Sequence, residues 1–138
     1  MDSINVKSVA LCDTEPIAIE GMRALLEPCE DLSLVAAETS LLGGMEIVRQ
    51  HSPAILILDK SFGIHSVMDC LKRLRSAGCG VAPVVWGVNL NESEALHMMQ
   101  AGALGVVRKT SSIDSLLTCL RAVAAGNTWM EEIGRAHV

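Results

Sequence analysis

Several features that mark particular classes of protein are missing from this sequence. There is no run of basic residues and the formal charge is −5, which argues against a nucleic-acid-binding surface within these 138 residues. The longest apolar stretch, residues 81–88, is interrupted by Pro83 and Gly87 and is far too short to span a bilayer. Residues 1–5 lack the basic and then apolar character of an export signal. We therefore predict a cytoplasmic protein that does not contact membranes.

Cysteine and histidine are present, but without the spacing of a metal site or of a disulfide framework. No C-x-x-C pair occurs, and an odd number of cysteines, five, cannot pair completely. We predict no metal site built from cysteine or histidine, and five free thiols that act as small apolar side chains, buried or half-buried. The residues concerned are Cys12, Cys29, Cys70, Cys79 and Cys119, with His51, His65, His97 and His137.

Half of the residues are apolar, and they form short blocks that alternate with amphipathic stretches. The blocks predict five strands, at residues 6–12, 32–37, 54–58, 84–86 and 104–107. The intervening stretches predict five helices, at residues 16–27, 41–50, 67–76, 91–101 and 111–126, the last with Ser111 as its N-cap. Strict alternation of strand and helix is typical of βαβ units, so we predict one doubly wound parallel α/β sheet with helices on both faces. The residues after Gly126 are predicted to have no partner element.

Charged residues follow three of the predicted strands. Asp13 comes after the first strand, Asp59 after the third and Lys109 after the fifth. Because the carboxyl ends of parallel strands meet at one edge of the sheet, where ligands bind, we expect these side chains to converge. One carboxylate can accept a phosphoryl group, a second can help to hold Mg²⁺, and a lysine can balance the charge on the phosphoryl oxygens.

Five short segments in register resemble one known family, the receiver domain of response regulators, in its NarL/LuxR-type branch. The segments resemble the family's D-D-H-P, E-G-L-R-A-L-L, L-R-R-L-R, A-G-A-x-G-Y-L-L-K and A-V-x-x-G-x-x-W patterns. They are CDTEP at 12–16, EGMRALL at 20–26, LKRLR at 71–75, AGALG at 101–105 with Lys109 after it, and the segment 122–129 that ends in Trp129.

This resemblance implies a flavodoxin-like receiver fold with five helices and the strand order 2-1-3-4-5. It implies a receiver domain at residues 5–127, with a tail or the start of a linker at 128–138. The implied partner is a sensor histidine kinase, and DNA would be contacted only through a C-terminal helix-turn-helix domain that this sequence does not contain. Such a domain is a signalling module and not an enzyme, with at most slow self-dephosphorylation.

The resemblance also implies a role for each residue of the site. Asp59 stands at the position of the phosphoacceptor, and Lys109 at the position of the lysine that balances the phosphoryl charge. Mg²⁺ would be held by Asp13, by Asp59 and by the backbone of Ser61. Thr14 stands where the family has a second acidic residue, which weakens the expected Mg²⁺ binding because a hard cation prefers charged oxygen.

Two further positions depart from the family pattern. Gly87 replaces the serine or threonine that bonds the phosphoryl group, and Val106 replaces the aromatic residue of the switch; the chain contains no tyrosine at all. We therefore predict that occupancy of the site alters the surface of the fourth helix and fifth strand little. Two other interpretations remain open: Thr14 as the N-cap of the first helix, and Lys109 as part of a structural ion pair.

Two hypotheses of function follow. In the first, a kinase phosphorylates Asp59 and the domain relays the signal to an output domain. In the second, the chain is a pseudo-receiver that binds a protein or a small ligand without phosphorylation. Its contacts, including a homodimer, would use apolar residues of the first and last helices, namely Met22, Leu25, Leu116 and Leu120. An enzyme of the doubly wound class is a third and weaker hypothesis, because no glycine-rich phosphate loop or nucleophile elbow occurs.

Overall fold

A computed structural model describes residues 5–131 of the chain, and within them strands and helices alternate as predicted. The strands are β1 (Lys7–Cys12), β2 (Leu32–Glu38), β3 (Ile55–Asp59), β4 (Ala82–Gly87), β5 (Gly105–Arg108) and β6 (Trp129–Met130). The helices are α1 (Pro16–Leu26), α2 (Leu41–His51), α3 (Ile64–Ala77), α4 (Glu92–Ala101) and α5 (Ile113–Ala124). One turn of 3₁₀ helix, Lys60–Phe62, lies between β3 and α3.

The strands form one parallel sheet in the order β2-β1-β3-β4-β5-β6. The predicted fold class and the order of the first five strands are confirmed. The prediction that nothing after Gly126 has a partner is wrong, because Trp129–Met130 pairs with β5 as a sixth strand. A strand of two residues is too short to show a periodic pattern in the sequence. It forms because β5 would otherwise leave an unpaired hydrogen-bonding edge at the end of the sheet. The remainder of the predicted tail, residues 132–138 with His137, lies outside the described residues.

The two faces of the sheet are covered by different helices, as a doubly wound fold requires. Residues of α1 and α5 pack with Val9, Leu11 and Ile57 on one face. Residues of α2, α3 and α4 pack with Ala10, Leu58 and other strand residues on the opposite face. Successive strand residues point to opposite faces, so the run at the centre of β3 is buried on both sides.

Gly44 allows α2 to approach β1 closely, because a Cβ at this position would collide with Cys12 Sγ.

A side-chain hydrogen bond and a glycine set the starts of two other helices. The N-cap of α5 is Ser112, whose hydroxyl accepts a hydrogen bond from the Ser115 N–H, and not Ser111 as predicted. The third helix begins at Ile64, three residues before its predicted start, because Gly63 at φ 111° ends the 3₁₀ turn.

The five cysteines are all free. Cys12, Cys70 and Cys119 are buried and Cys29 is half-buried, in agreement with the sequence analysis. Cys79 is exposed, in contrast to the prediction, because it follows the end of α3 in a glycine-containing loop. Within residues 5–131, none of the helices has both the length and the apolar character needed to cross a membrane.

Candidate functional site

Three charged side chains meet at the carboxyl edge of the sheet. Asp13 follows β1, Asp59 ends β3 and Lys109 follows β5. The Lys109 ammonium Nζ lies 2.9 Å from Asp13 Oδ2 and 3.5 Å from Asp59 Oδ2. It also lies 3.3 Å from Oε1 of the exposed Glu15. One cation therefore bridges both buried carboxylates, in the arrangement expected from the ends of parallel strands.

Asp59 is completely buried and all its acceptor oxygens are engaged. The Ser61 N–H donates to Oδ1 over 2.9 Å. Both the N–H and the hydroxyl of Thr14 donate to Oδ2, over 3.0 and 2.8 Å. Burial on its own raises the pKa of Asp59, but these hydrogen bonds and the nearby Lys109 outweigh it, so the net pKa lies below its ordinary value. Asp59 is therefore a carboxylate at neutral pH.

Thr14 thus covers Asp59 and does not cap α1. The N-cap of that helix is Glu15, without a side-chain hydrogen bond, so the interpretation of Thr14 as a helix cap is wrong. At the position where the resemblance places a second acid, the chain presents a hydrogen-bond donor to the Asp59 carboxylate.

Asp13 is also completely buried, and Trp86 of β4 is one of its partners. Its Oδ1 accepts from the Glu15 N–H over 2.8 Å, and its Oδ2 accepts from the indole Nε1–H of Trp86 over 2.9 Å. Burial is the largest influence on the pKa of Asp13 and raises it, although the Lys109 ammonium and the Glu15 N–H act in the opposite direction. The two carboxylates therefore have pKa values displaced in opposite directions.

Lys109 is held by more than its ion pairs. Its side chain is 11% exposed, and its Nζ lies 5.1 Å from the centroid of the Trp86 ring, a cation–π geometry. Its backbone N–H donates to Gly87 O over 2.8 Å, which fixes the residue to the end of β4. Burial lowers the pKa of the ammonium, but Asp13 and Asp59 outweigh it and the net pKa is raised, so Lys109 carries its charge.

Lys60 occupies the space left open by Gly87. A Cβ built on Gly87 would lie 3.0 Å from Lys60 Cβ, tighter than ordinary contacts allow. The Lys60 ammonium lies 2.7 Å from Glu94 Oε1 at the start of α4 and also donates to Asn89 O. Lys60 was not among the predicted site residues. Its charge, directly after Asp59, was the available signal.

The second departure, Val106, is a fully buried core residue. It packs on the sheet face that α2, α3 and α4 cover, and it has no ring that could move between two positions. With Gly87 it leaves the ends of β4 and β5 without a mobile polar or aromatic side chain at either switch position.

Beyond the predicted elements, Glu131 binds the loop that carries Lys109. Its Oε1 accepts from the Arg108 N–H over 2.9 Å, and its Oε2 accepts from the Ser111 hydroxyl. Ser111 therefore contacts the segment after β6 and does not begin α5. The sequence offers no signal for this contact, because it joins residues twenty positions apart.

An apolar cleft of about 300 Å³, here called the α1–α5 cleft, opens between α1 and α5 beside the site. Its lining includes Ala18, Met22, Leu25, Trp86, Lys109 and Leu116. Of the four residues expected to supply apolar contact area, Met22, Leu25 and Leu116 line this cleft, although Met22 and Leu116 are largely buried. The fourth, Leu120, is completely buried in the core and supplies no surface. The exposed apolar residues of these two helices are Ile17 and Ile113, at 77% and 61% exposure.

Sequence comparison identifies the family. The profile of the response regulator receiver domain matches residues 9–121, which is most of the chain. The chain belongs to the response regulator receiver family. Receiver domains are signalling domains, and their general role is to be phosphorylated by histidine kinases.

The curated relatives belong to the NarL/LuxR-type branch, as predicted. A nitrate/nitrite response regulator homolog of Haemophilus influenzae is 28% identical over 124 residues, covering 90% of this chain and 60% of that protein. The nitrate/nitrite response regulator NarL of Escherichia coli K12 is 24% identical over 125 residues, covering 91% and 58%. The chain thus spans about six tenths of the length of these relatives.

Solved structures show the same fold. A LuxR-family two-component response regulator from Aurantimonas superposes with a TM-score of 0.83 at 24% identity, covering 93% of this chain and 91% of that one. The predicted receiver fold is therefore confirmed, with β6 as an addition to the five expected strands.

Proposed function

We propose that this receiver accepts a phosphoryl group on Asp59 from a sensor histidine kinase. The observation that carries the proposal is the Lys109 ammonium, which lies within 3.5 Å of both Asp13 and Asp59. An oxygen of the Asp59 carboxylate attacks the phosphorus of the kinase phosphohistidine; the O–P bond forms, the P–N bond breaks, and the departing imidazole takes up a proton. Lys109 then faces the added negative charge.

Attack on phosphorus requires Thr14 to withdraw. Asp59 has no exposed surface, and the Thr14 hydroxyl occupies Oδ2. A hydrogen bond to a charged group contributes about 1.5–3 kcal/mol. Because that hydrogen bond breaks before attack, the reaction slows by about 10- to 160-fold, at 1.36 kcal/mol for each factor of ten. We therefore expect a slow phosphoacceptor.

Mg²⁺ is proposed to bind weakly. Oxygens of both carboxylates already accept N–H or O–H donors, and Thr14 contributes a neutral hydroxyl in place of an acid. Among residues 5–131, no group of three or more His, Cys, Asp or Glu side chains is arranged to hold a metal ion. The residues present do not fit a strongly held Mg²⁺, with Ser61 supplying only backbone atoms, and no step above is assigned to the ion.

The test is phosphorylation by a small phosphodonor such as acetyl phosphate, followed by intact-mass measurement. We expect one phosphoryl group on the wild-type chain, none on Asp59→Asn, and retained incorporation in Asp13→Asn. Thr14→Val should react faster than wild type, because the covering hydroxyl is removed. Incorporation that persists in Asp59→Asn would assign the acceptor to another residue and refute the proposal.

A pseudo-receiver that acts without phosphorylation is the second candidate. The complete burial of Asp59 supports it, together with the absence of a mobile side chain at Gly87 and Val106. In this case the Lys109 ion pairs are structural, and output runs through constitutive contacts. Failure of every phosphodonor and of beryllofluoride to modify or bind the folded chain would favour this candidate over the first.

For both candidates we propose a homodimer that uses the α1–α5 cleft. Ile113 lines the cleft, Ile17 precedes the lining residue Ala18 on α1, and both isoleucines are exposed, so we propose that a second copy covers both. Ile17→Glu should shift sedimentation toward monomer. Leu42→Glu is the matched control, since Leu42 is 82% exposed on α2, on the other face of the sheet. Equal effects of both changes, or of neither, would refute this interface.

The remaining partners follow from the relatives. The curated relatives are regulators longer than this chain. We propose that a helix-turn-helix domain following the receiver makes the contacts with DNA, and that the chain contacts no membrane and acts in the cytoplasm. Any catalysis is proposed to be limited to slow self-dephosphorylation.

A further inference from the structure

Trp86 connects the charged site to the α1–α5 cleft. Its indole N–H donates to Asp13 Oδ2 over 2.9 Å in a buried hydrogen bond. Its ring faces the Lys109 ammonium at 5.1 Å. The same ring is 8% exposed and lines the cleft beside Met22 and Leu116. One rigid side chain therefore touches two of the three charged residues and the apolar surface between α1 and α5.

Toward α4, neither of the two switch positions offers a comparable aromatic side chain. Gly87 has no side chain, and Val106 is an aliphatic residue fully buried in the core. Lys60 ties the loop after β4 to Glu94 and fills the space over Gly87. A change at Asp59 consequently finds no movable ring or hydroxyl at either of these two positions, Gly87 and Val106.

We infer that Trp86 is the positioning residue for Asp13 and Lys109, and that it transmits a change of charge at Asp59 to the α1–α5 cleft. The part that concerns phosphorylation rests on the proposed function. Negative charge added at Asp59 attracts Lys109 away from Asp13 Oδ2. The indole N–H of Trp86 then remains bonded to Asp13, while the Lys109 ammonium moves away from the face of the Trp86 ring. Both changes act on the ring that lines the cleft.

Beryllofluoride, a phosphoryl analogue, tests the inference by amide and indole NMR of the ¹⁵N-labelled chain. We expect the Trp86 indole N–H and the amides of Ala18, Met22 and Leu116 to shift more than the amides of Ala95 and Met98 in α4. The Trp129 indole, on β6, is the internal control and should shift little. Larger shifts in α4 than in the cleft would overturn the inference.

Trp86→Phe keeps an aromatic ring and removes the N–H donor. We expect this variant to bind beryllofluoride, seen as a bound ¹⁹F signal, but to lose the shifts in the cleft. Trp129→Phe is the matched control and should keep them. A Trp86→Phe chain that binds the analogue with its cleft shifts intact would show a merely structural tryptophan. If Trp86→Phe does not fold, 5-fluorotryptophan in the Trp129→Phe chain reports on Trp86 alone, and a silent ¹⁹F resonance on analogue binding overturns the inference.

Asp59→Asn separates this inference from the proposed function, because it changes the charge without any phosphoryl analogue. We expect it to shift the Trp86 indole and the cleft amides in the wild-type background. In the Trp86→Phe background, where only the cleft amides can be compared, we expect them not to shift. If every phosphodonor and beryllofluoride fail to modify or bind the chain while Asp59→Asn gives this result, phosphoacceptance is refuted and the role of Trp86 stands. If Asp59→Asn leaves Trp86 and the cleft unchanged, the role of Trp86 is refuted.

Discussion

Thr14→Asp should convert a weak cation site into a strong one, at the cost of stability when no metal is present. In the wild-type chain the Thr14 hydroxyl donates to Asp59 Oδ2 over 2.8 Å, and both Asp59 and Asp13 are buried. An aspartate at this position removes a donor and adds a third negative charge next to two buried carboxylates. It also restores the acid that the family pattern has there.

The destabilisation without metal has two sources. The lost hydrogen bond to a carboxylate contributes about 1.5–3 kcal/mol. Two unit charges 4 Å apart at an effective dielectric constant of 20 repel by about 4 kcal/mol, but residue 14 is exposed, so the new side chain can turn toward water and avoid most of this. We expect a net loss of about 2–4 kcal/mol in the free energy of unfolding, dominated by the lost hydrogen bond.

Mg²⁺ should reverse the loss. A ligand present at a hundred times its dissociation constant stabilises the folded state by about 2.7 kcal/mol, whereas one present at its dissociation constant contributes about 0.4 kcal/mol. For a domain of this size, 1 kcal/mol corresponds to a change of about 3–5 °C in Tm. Thermal unfolding of the wild type and Thr14→Asp over a Mg²⁺ series, with EDTA as the zero point, measures both effects. The variant should gain about 8–13 °C, and its titration midpoint should lie well below that of the wild type.

Thr14→Asn is the matched control, because it replaces the hydroxyl with a side chain shaped like aspartate but without charge. It should show at most a small gain with Mg²⁺. A wild-type chain that saturates at the same low Mg²⁺ concentration as Thr14→Asp would refute the argument, since the missing charge would then be irrelevant to the cation.

Three further predictions concern pH, thiol reactivity and the sixth strand. The pKa of Asp59 is lowered in the folded chain, so its contribution to stability is present above its unfolded pKa, about 3.9, and is lost as the pH falls through its folded pKa. The free energy of unfolding in urea should therefore fall more steeply with decreasing pH for the wild type than for Asp59→Asn. Parallel pH profiles for the two chains would contradict this. The exposed Cys79 should react with iodoacetamide far faster than the buried Cys12, whose pKa is raised by burial to about 12. Peptide mapping of the first cysteine to be labelled tests this, and Cys12 labelled before Cys79 would contradict it. Glu131→Ala should lower the free energy of unfolding by about 1–3 kcal/mol, because it leaves the Arg108 N–H and the Ser111 hydroxyl without a carboxylate partner. An unchanged free energy of unfolding together with an unshifted Trp129 fluorescence emission would show that Glu131 does not hold β6.

Local pattern alone was sufficient to predict the frame of this receiver. Alternating apolar blocks and amphipathic stretches predicted the five strands and five helices of one parallel sheet, since each element depends on residues close together in the chain. The order of the strands came from the resemblance to the receiver family. The same topology predicted that Asp13, Asp59 and Lys109 meet, because the ends of parallel strands share an edge. The positions of charged residues at strand ends are therefore readable without a structure.

The burial and the hydrogen-bond partners of those residues depend on contacts between distant parts of the chain. Thr14 masks Asp59 across 45 positions, and the Trp86 indole reaches Asp13 across 73. Lys60 fills the space over Gly87 because β3 and β4 are neighbours in the sheet. No periodic pattern encodes such contacts, since side-chain direction and packing after the sheet closes determine which donor reaches which carboxylate. The sequence by itself therefore determined which charged residues meet at the edge of the sheet, and only the tertiary structure decided that Asp59 is covered by Thr14 and that Asp13 is bonded to Trp86.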